Sequence, residues 1–285
     1  MTDKAHITIL VPTYNQEDSI GKTLDSILEQ ETKYNYKILI AEDCSTDKTV
    51  QICQKYVDKY PDKIELIAQT ENTNAEHLRA VLFGITSKYL TILDGDDYWS
   101  SPNKLQKAVS FLDKNPNYIT FAHDTLYNDK VKKAKQSLVH DIHKATIKNP
   151  MTFDNMLYLH TSARTYRNNI NLGKAFDGGR PLGDLNLLYL YLNRGPLYYH
   201  DEIMSVYNIT GKGIWSKLPR QEQVLAEELA NYNCNKLLDF QQDEFFTNRA
   251  ARPGRLRKLK RLLGMRLGWS MYVRIAKAGA KDDAK

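Results

Sequence analysis

The stretch "LTILDGDDYW", Leu90 to Trp99, places three carboxylates, Asp94, Asp96 and Asp97, within four residues at the end of an apolar run. Like charges this close raise one another's pKa unless a cation joins them. A turn needs one Asp and not three, so turn chemistry alone accounts poorly for the group. Acidic clusters at a strand end suit Mg²⁺ or Mn²⁺, hard ions that take carboxylate oxygens and keep positions open for phosphate oxygens and water. Held there, such an ion neutralises the charge that develops on a diphosphate leaving group.

Two further polar stretches also follow apolar runs: "PTYNQE" (12–17) and "EDCSTD" (42–47). Asp43 in the second is suited to accept a hydrogen bond from the N–H of a uracil ring or from a ribose hydroxyl. The plainer reading of "EDCSTD" is a helix N-cap, which fits its residues well. Neither GxGxxG nor GxxxxGK[ST] occurs, which weighs against a dinucleotide-dependent dehydrogenase and a P-loop kinase.

The elements that must carry these residues alternate in type. "ITILV" (7–11), "YKILIA" (36–41), "KIELI" (63–67) and "YLTIL" (89–93) read as buried strands. Between them, apolar residues recur at helical spacing: Ile20, Leu24, Ile27 and Leu28; then Val50, Cys53, Val57 and Tyr60; then Leu78, Val81, Leu82 and Ile85. Leu105, Ala108, Val109 and Leu112 mark a fourth helix, followed by a strand at 118–122. Strands alternating with helices predict an α/β fold, with a mainly parallel sheet covered on both faces. Ligands of such sheets bind at the carboxyl ends of the strands, where all three polar stretches fall. A later strand is expected at 197–207 and a helix at 220–247. Four histidines, His77, His123, His140 and His143, lack metal-ligand spacing and read as surface residues.

These blocks, "ILVPTYNQEDSIGKTLDSILEQ", "ILIAEDCSTDKT" and "YLTILDGDDYWSSPNKL", resemble the nucleotide-binding half of family 2 glycosyltransferases. The resemblance covers about residues 6–115. It implies the Rossmann-like glycosyltransferase A fold, a UDP-sugar donor, and inversion at the anomeric carbon. It also implies that Pro12, Thr13, Tyr14, Glu17 and Arg79 border the nucleotide and that Asp43 reads the base. The Asp94–Gly95–Asp96 motif then handles ribose, diphosphate and a Mn²⁺ or Mg²⁺ ion, with Asp94 and Asp96 as ligands or Asp97 in place of Asp96. Asp97 extends the motif on the acceptor side.

A sparser resemblance covers 159–216, the acceptor half. Many relatives carry a Glu-Asp pair ahead of an apolar helix, and its Asp is the catalytic base. Here the pair reads Gly183–Asp184, so Asp184 takes the role; a helix N-cap is its plainer reading, and the two are compatible. Relatives also often show Tyr-Arg-x-His where this chain has Tyr207–Asn208–Ile209–Thr210. His160 and Trp215 are expected at the acceptor. The catalytic domain is expected over 1–216, with an acceptor half at 116–216, and a helical extension with a basic tail over 217–285.

Composition narrows the partners. The net charge is +6 over 285 residues. From Arg249 to Lys285 there are 12 Lys/Arg against 2 Asp/Glu, or +10, while the rest of the chain carries 28 against 32, or −4. A basic tail on an acidic body argues against a general nucleic-acid binder. Leu256, Leu259, Leu263 and Leu267 recur near helical spacing between Arg and Lys, a pattern like an interfacial helix drawn to anionic lipid. A solvated basic helix packed on the catalytic domain is the alternative. Three cysteines without metal spacing, no secretory leader and no long apolar run predict a cytoplasmic protein, peripheral on the inner membrane face if the tail binds lipid.

The leading expectation is an enzyme transferring a hexose or N-acetylhexosamine to a saccharide, lipid-linked or free, in surface polysaccharide or lipopolysaccharide synthesis. The alternatives are a nucleotidyltransferase that makes the sugar nucleotide and a non-catalytic nucleotide or saccharide binder. The first usually needs a Gly-rich basic loop after the first strand, and "VPTYNQEDS" lacks one.

Overall fold

Four parallel strands form one half of a single sheet: β1 (Ile7–Thr13), β2 (Tyr36–Glu42), β3 (Ile64–Ala68) and β4 (Tyr89–Ile92), in the order β3-β2-β1-β4. In this computed structural model the described residues are 5–211, apart from 74, 138, 140–146 and 170–183, with scattered positions between 213 and 242. Trp215, His140, His143, most of the expected 220–247 helix and the basic tail lie outside them.

The strands are those expected from the apolar runs, and they alternate faces as a strand must. Ile7, Ile9 and Val11 pack into one core with Leu24, Ile27, Leu105 and Leu112; Leu10, Leu90 and Ile92 pack into a second core with Leu187, Leu188 and Tyr191. Burial on both faces explains why the strands read as continuous apolar runs. The crossovers are α1 (Ile20–Leu28), α2 (Thr49–Lys59) and α3 (Ala75–Gly84). Ile20, Leu24 and Ile27 of α1 are fully buried, as their spacing predicts.

The second half of the sheet is mixed. It comprises β5 (Tyr98–Trp99), β6 (Thr120–Asp129), β7 (Ala134–Ser137), β8 (Thr165–Arg167) and β9 (Leu197–Ile209), with α4 (Lys104–Lys114) and α5 (Asp184–Leu192). The order continues β4-β8-β6-β9-β5, with β7 on β6; β6 and β9 are parallel, and β8 is antiparallel to both β4 and β6. β4 and β5 lie at opposite ends of this five-strand run, yet only residues 93–97 separate them. Five residues reach less than about 20 Å. The sheet must therefore curl until its ends nearly meet, and the acidic stretch bridges the gap.

Two expectations change. The strand expected at 118–122 runs through Asp129, because its polar second half gains β9 as a parallel partner along its length. His77 and His123 are buried instead of exposed. His77 is 5% accessible, with Nε2 3.2 Å from Ile67 O; His123 is fully enclosed in the central strand β6, with Nδ1 2.8 Å from Asp124 O. A polar stretch reads as surface only while the faces of its strand are open, and both faces of β6 are covered here. Enclosure pushes the His123 imidazole well below its ordinary pKa, with Lys104 adding to the effect, so the ring is neutral.

Candidate active site

The polar strand ends converge as expected. Gly95 N donates to Pro12 O at 3.0 Å, and Asp43 N donates to Thr13 O at 3.1 Å. These bonds stitch the β1, β2 and β4 exits into one floor. Gly95 is required for space. A Cβ there would overlap Gln16 Oε1 and lie 2.8 Å from Thr13 Oγ1. Thr13 Oγ1 already donates to Gln16 Oε1 at 2.7 Å, so a shift of Gln16 would break this bond. Asp43 Oδ1 accepts from Thr73 N at 2.9 Å, which fixes the carboxylate at the mouth of β2. Beside it, the buried Glu42 carboxylate accepts from Ser45 N at 2.7 Å and Cys44 N at 3.1 Å, holding Cys44 at its positive φ of 62°. Glu17 Oε2 accepts from Lys48 N at 3.0 Å, at the start of α2. Tyr14 is half-buried on the same loop, and Arg79 sits on α3.

The acidic turn is deeply set. Asp97 is 1% exposed; its Oδ1 accepts from Asn208 N at 2.9 Å, and its Oδ2 is buried with no hydrogen-bond partner. Donor atoms of Asp94, Asp97 and His160 lie within 4.8 Å of one another. His160 Nδ1 is 3.8 Å from Asp97 Oδ2. Asp96, expected with Asp94 as a metal ligand, is not among these three; it is half-buried, and its carbonyl accepts from Asn208 Nδ2 at 2.8 Å.

The electrostatics of the turn call for a cation. Burial, then Asp96 and Asp184, push the Asp94 carboxyl up to about 7, against the pull of Arg164. Burial raises Asp96, with Lys130 opposing, and burial with Asp96 and Asp94 drives Asp97 well above the carboxylate range. His160 is 6% exposed and is pushed down to about 3 by burial, so it is neutral, and its Nδ1 accepts from Ser162 N at 3.3 Å. An orphaned buried carboxylate oxygen facing a second carboxylate and a neutral imidazole fits a divalent cation.

Asp184 opens α5. Its side chain is 40% exposed. Oδ1 accepts from Leu185 N at 2.8 Å; around Oδ2 lie Tyr158 Oη at 3.1 Å, Thr161 Oγ1 at 3.3 Å and Arg164 Nη2 at 3.3 Å. Asp184 therefore lies within the first turn of α5 rather than capping it, and its carboxylate accepts from the adjacent Leu185 N instead of from a residue one turn on.

Sequence reasoning missed three contributors. Asn208 pins the Asp96–Asp97 segment from β9. Trp99 Nε1 donates to Ser162 O at 3.0 Å, tying the His160–Arg164 turn to the acidic stretch. Arg164 meets Asp184. The segments "LHTSARTYR" and "DEIMSVYNITGKGIWS" flagged the neighbourhoods, but nothing in local spacing says which side chains point inward.

An α/β sheet with an acidic turn at the carboxyl ends of its parallel strands matches a glycosyltransferase A scaffold. Residues 8–172 match the family description "Glycosyl transferase family 2", and the chain belongs to that family. It is 28% identical over 215 residues to an uncharacterised protein of Mycobacterium tuberculosis, covering 73% of this chain and 60% of that protein. The chain therefore spans about three-fifths of that relative's length. Against TarS, a poly(ribitol-phosphate) beta-N-acetylglucosaminyltransferase of Staphylococcus aureus, identity is 29% over 109 residues, 38% of this chain and 19% of TarS. The crystal structure of S. aureus TarS 1–349 in complex with UDP-GlcNAc superposes with a TM-score of 0.58 at 18% identity, over 80% of this chain and 66% of that one. The mannosyltransferase PcManGT of Pyrobaculum calidifontis, in complex with GDP-Man and Mn²⁺, gives 0.58 at 17% identity, over 96% and 84%. These likenesses carry the fold.

Proposed function

We propose that this chain is an inverting glycosyltransferase. It moves a hexose or N-acetylhexosamine from a UDP-sugar to a saccharide acceptor, free or lipid-linked, in surface polysaccharide synthesis. The observation that carries this function is the pairing of two acidic centres: the Asp94/Asp97/His160 group at the strand ends, and the exposed Asp184 carboxylate, whose charge adds to the rise at Asp94.

Asp43 holds the nucleoside at the mouth of β2, while Thr13, Tyr14, Glu17 and Arg79 border it. Asp94 and Asp97, with His160 beside them, hold a divalent cation, Mn²⁺ or Mg²⁺, that supplies positive charge to the diphosphate. Asp184 accepts the proton of the acceptor hydroxyl. That oxygen forms its bond to the anomeric carbon as the bond to the diphosphate breaks, and the nucleoside diphosphate leaves with the electron pair. One displacement inverts the centre and needs one base and no enzymic nucleophile. The two structural neighbours, one in complex with UDP-GlcNAc and one with GDP-Man and Mn²⁺, support a nucleotide-sugar donor.

The test is a panel of UDP- and GDP-sugars scored for protection against thermal unfolding, with and without Mn²⁺, followed by nucleoside diphosphate release from the best binder. A ligand that binds only the folded state raises apparent stability by mass action. The expected result is the largest rise with a UDP-sugar plus Mn²⁺, and turnover that Asp184→Asn lowers by about 10²–10⁴. A GDP-sugar preference would overturn the base assignment. Pyrophosphate release in place of UDP would make the chain a nucleotidyltransferase, and binding without release would make it a non-catalytic binder.

A further inference from the structure

Arg164 is the largest fully buried side chain among the described residues, at 0% exposure. Arginine is almost never enclosed unless paired, because taking the charge out of water is costly. Its partners show where the charge is used. Nε donates to Leu159 O at 2.8 Å, and Nη1 donates to Asp184 O at 2.7 Å and to Tyr166 Oη at 3.1 Å. Nη2 meets Asp184 Oδ2 at 3.3 Å, an ion pair between a buried cation and an exposed carboxylate.

The arginine is itself rigidly mounted. Thr91 Oγ1 donates to Arg164 O at 2.6 Å, and the buried Lys104 Nζ donates to Thr91 Oγ1 at 2.7 Å and Thr165 Oγ1 at 3.0 Å. The backbone two residues earlier is held by Trp99 Nε1. The mount is therefore the sheet that carries the acidic turn. An anchor for the start of α5 would need only the bond to Asp184 O. The second contact, to the carboxylate, fixes the side chain as well.

This fixing is directional. Three donors crowd Oδ2, from Tyr158, Thr161 and Arg164. Among the described residues Oδ1 accepts only Leu185 N and keeps a lone pair available. The residue ahead of Asp184 is Gly183, which has no side chain to share the task. We propose that Arg164 is a positioning residue for glycosyl transfer: it clamps Asp184 by side chain and main chain and turns Oδ1 toward the acceptor hydroxyl, a role that rests on Asp184 being the base.

A double-mutant cycle tests the clamp. The assay is nucleoside diphosphate release, with the sugar nucleotide and Mn²⁺ chosen by the stability panel, for wild type, Asp184→Asn, Arg164→Gln and the double variant. Arg164→Gln is expected to lower kcat by about tenfold or more, with the donor Kd changed by less than about threefold. In the Asp184→Asn background the same change should alter kcat by less than about twofold, because the group it orients no longer acts. Arg164→Lys keeps the charge without the planar fork and should fall between wild type and Gln; where Gln does not fold, Lys carries the same cycle. Full kcat in Arg164→Gln while Asp184→Asn is impaired would overturn the clamp and leave the base in place. An equal loss in both backgrounds would make Arg164 a structural anchor. Full turnover in Asp184→Asn would remove the base, and the clamp with it.

Discussion

At the scale of single residues, the acidic turn is a site whose parts are unstable together without a partner. Asp97 is enclosed with one carboxylate oxygen unbonded, and its neighbours Asp96 and Asp94 are also acidic. Its folded-state pKa lies well above the ordinary carboxylate value. The folded chain therefore binds the proton more readily than the unfolded chain does, and stability is lost as pH rises above that ordinary value. Asp97→Asn removes this load. The metal-free variant is expected to melt higher than metal-free wild type at pH 7, and the gap should shrink as pH falls toward the usual carboxylate range. Mn²⁺ should raise the melting temperature of wild type and not of the variant. A variant that melts lower at every pH, or that keeps the full Mn²⁺ shift, would show that Asp97 is a structural acceptor for Asn208 and not a cation ligand. Asp96→Ala in parallel distinguishes the two carboxylates: a cation held by Asp94 and Asp97 survives that change.

At the scale of elements, the site depends on how closely the loops after β1 and β4 approach. Gly95 → Ala places a methyl group against Gln16 and Thr13, which are bonded to each other. Either Gln16 swings away from Thr13 or the loops separate, at a cost of about 1–3 kcal/mol, and both changes fall where the nucleotide would lie. Urea midpoints and UDP titration calorimetry should show both losses; unchanged UDP affinity would mean that the loop floor does not meet the nucleotide. What could be read from the sequence follows the same division. The first four strands and their helices were legible because each is apolar with a clear period, and because parallel pairing buries both faces. The order of β8, β6, β9 and β5 was not legible, since it is set by partners far along the chain: Tyr98 pairs Val206, and Thr120 pairs both Tyr166 and Leu197. The two-residue β5 is too short to carry a period at all. The acidic stretch Asp94–Asp97 could be placed at a strand end from the sequence, because an apolar run leads directly into it. Arg164 and Asn208 could not be placed, because a buried polar side chain has the same letter as an exposed one until its strand partners are known. His123 misled for the same reason.

At the scale of the whole molecule, charge is divided between an acidic body and a basic end. The 37 residues from Arg249 to Lys285 carry +10, and the residues before them carry −4. No described helix is long and apolar enough to cross a membrane. Contact with a bilayer would then depend on the tail, whose leucines recur near helical spacing between cations. Each basic group near an anionic surface contributes about 1 kcal/mol, an attraction that fades with salt, while leucines and Trp269 set into the interface add a part that salt does not remove. The full chain is expected to sediment with anionic liposomes at low salt, to be partly released at high salt, and to bind neutral liposomes weakly. A chain ending at Asn248 should bind neither, yet release nucleoside diphosphate at a similar rate, because every proposed site residue lies before Ser216. Equal partitioning of the two chains would mean that the basic end is solvated or packed on the body. The lipid-linked acceptor would then be set aside in favour of a free saccharide. Loss of turnover on truncation would mean instead that the basic end contributes to transfer itself.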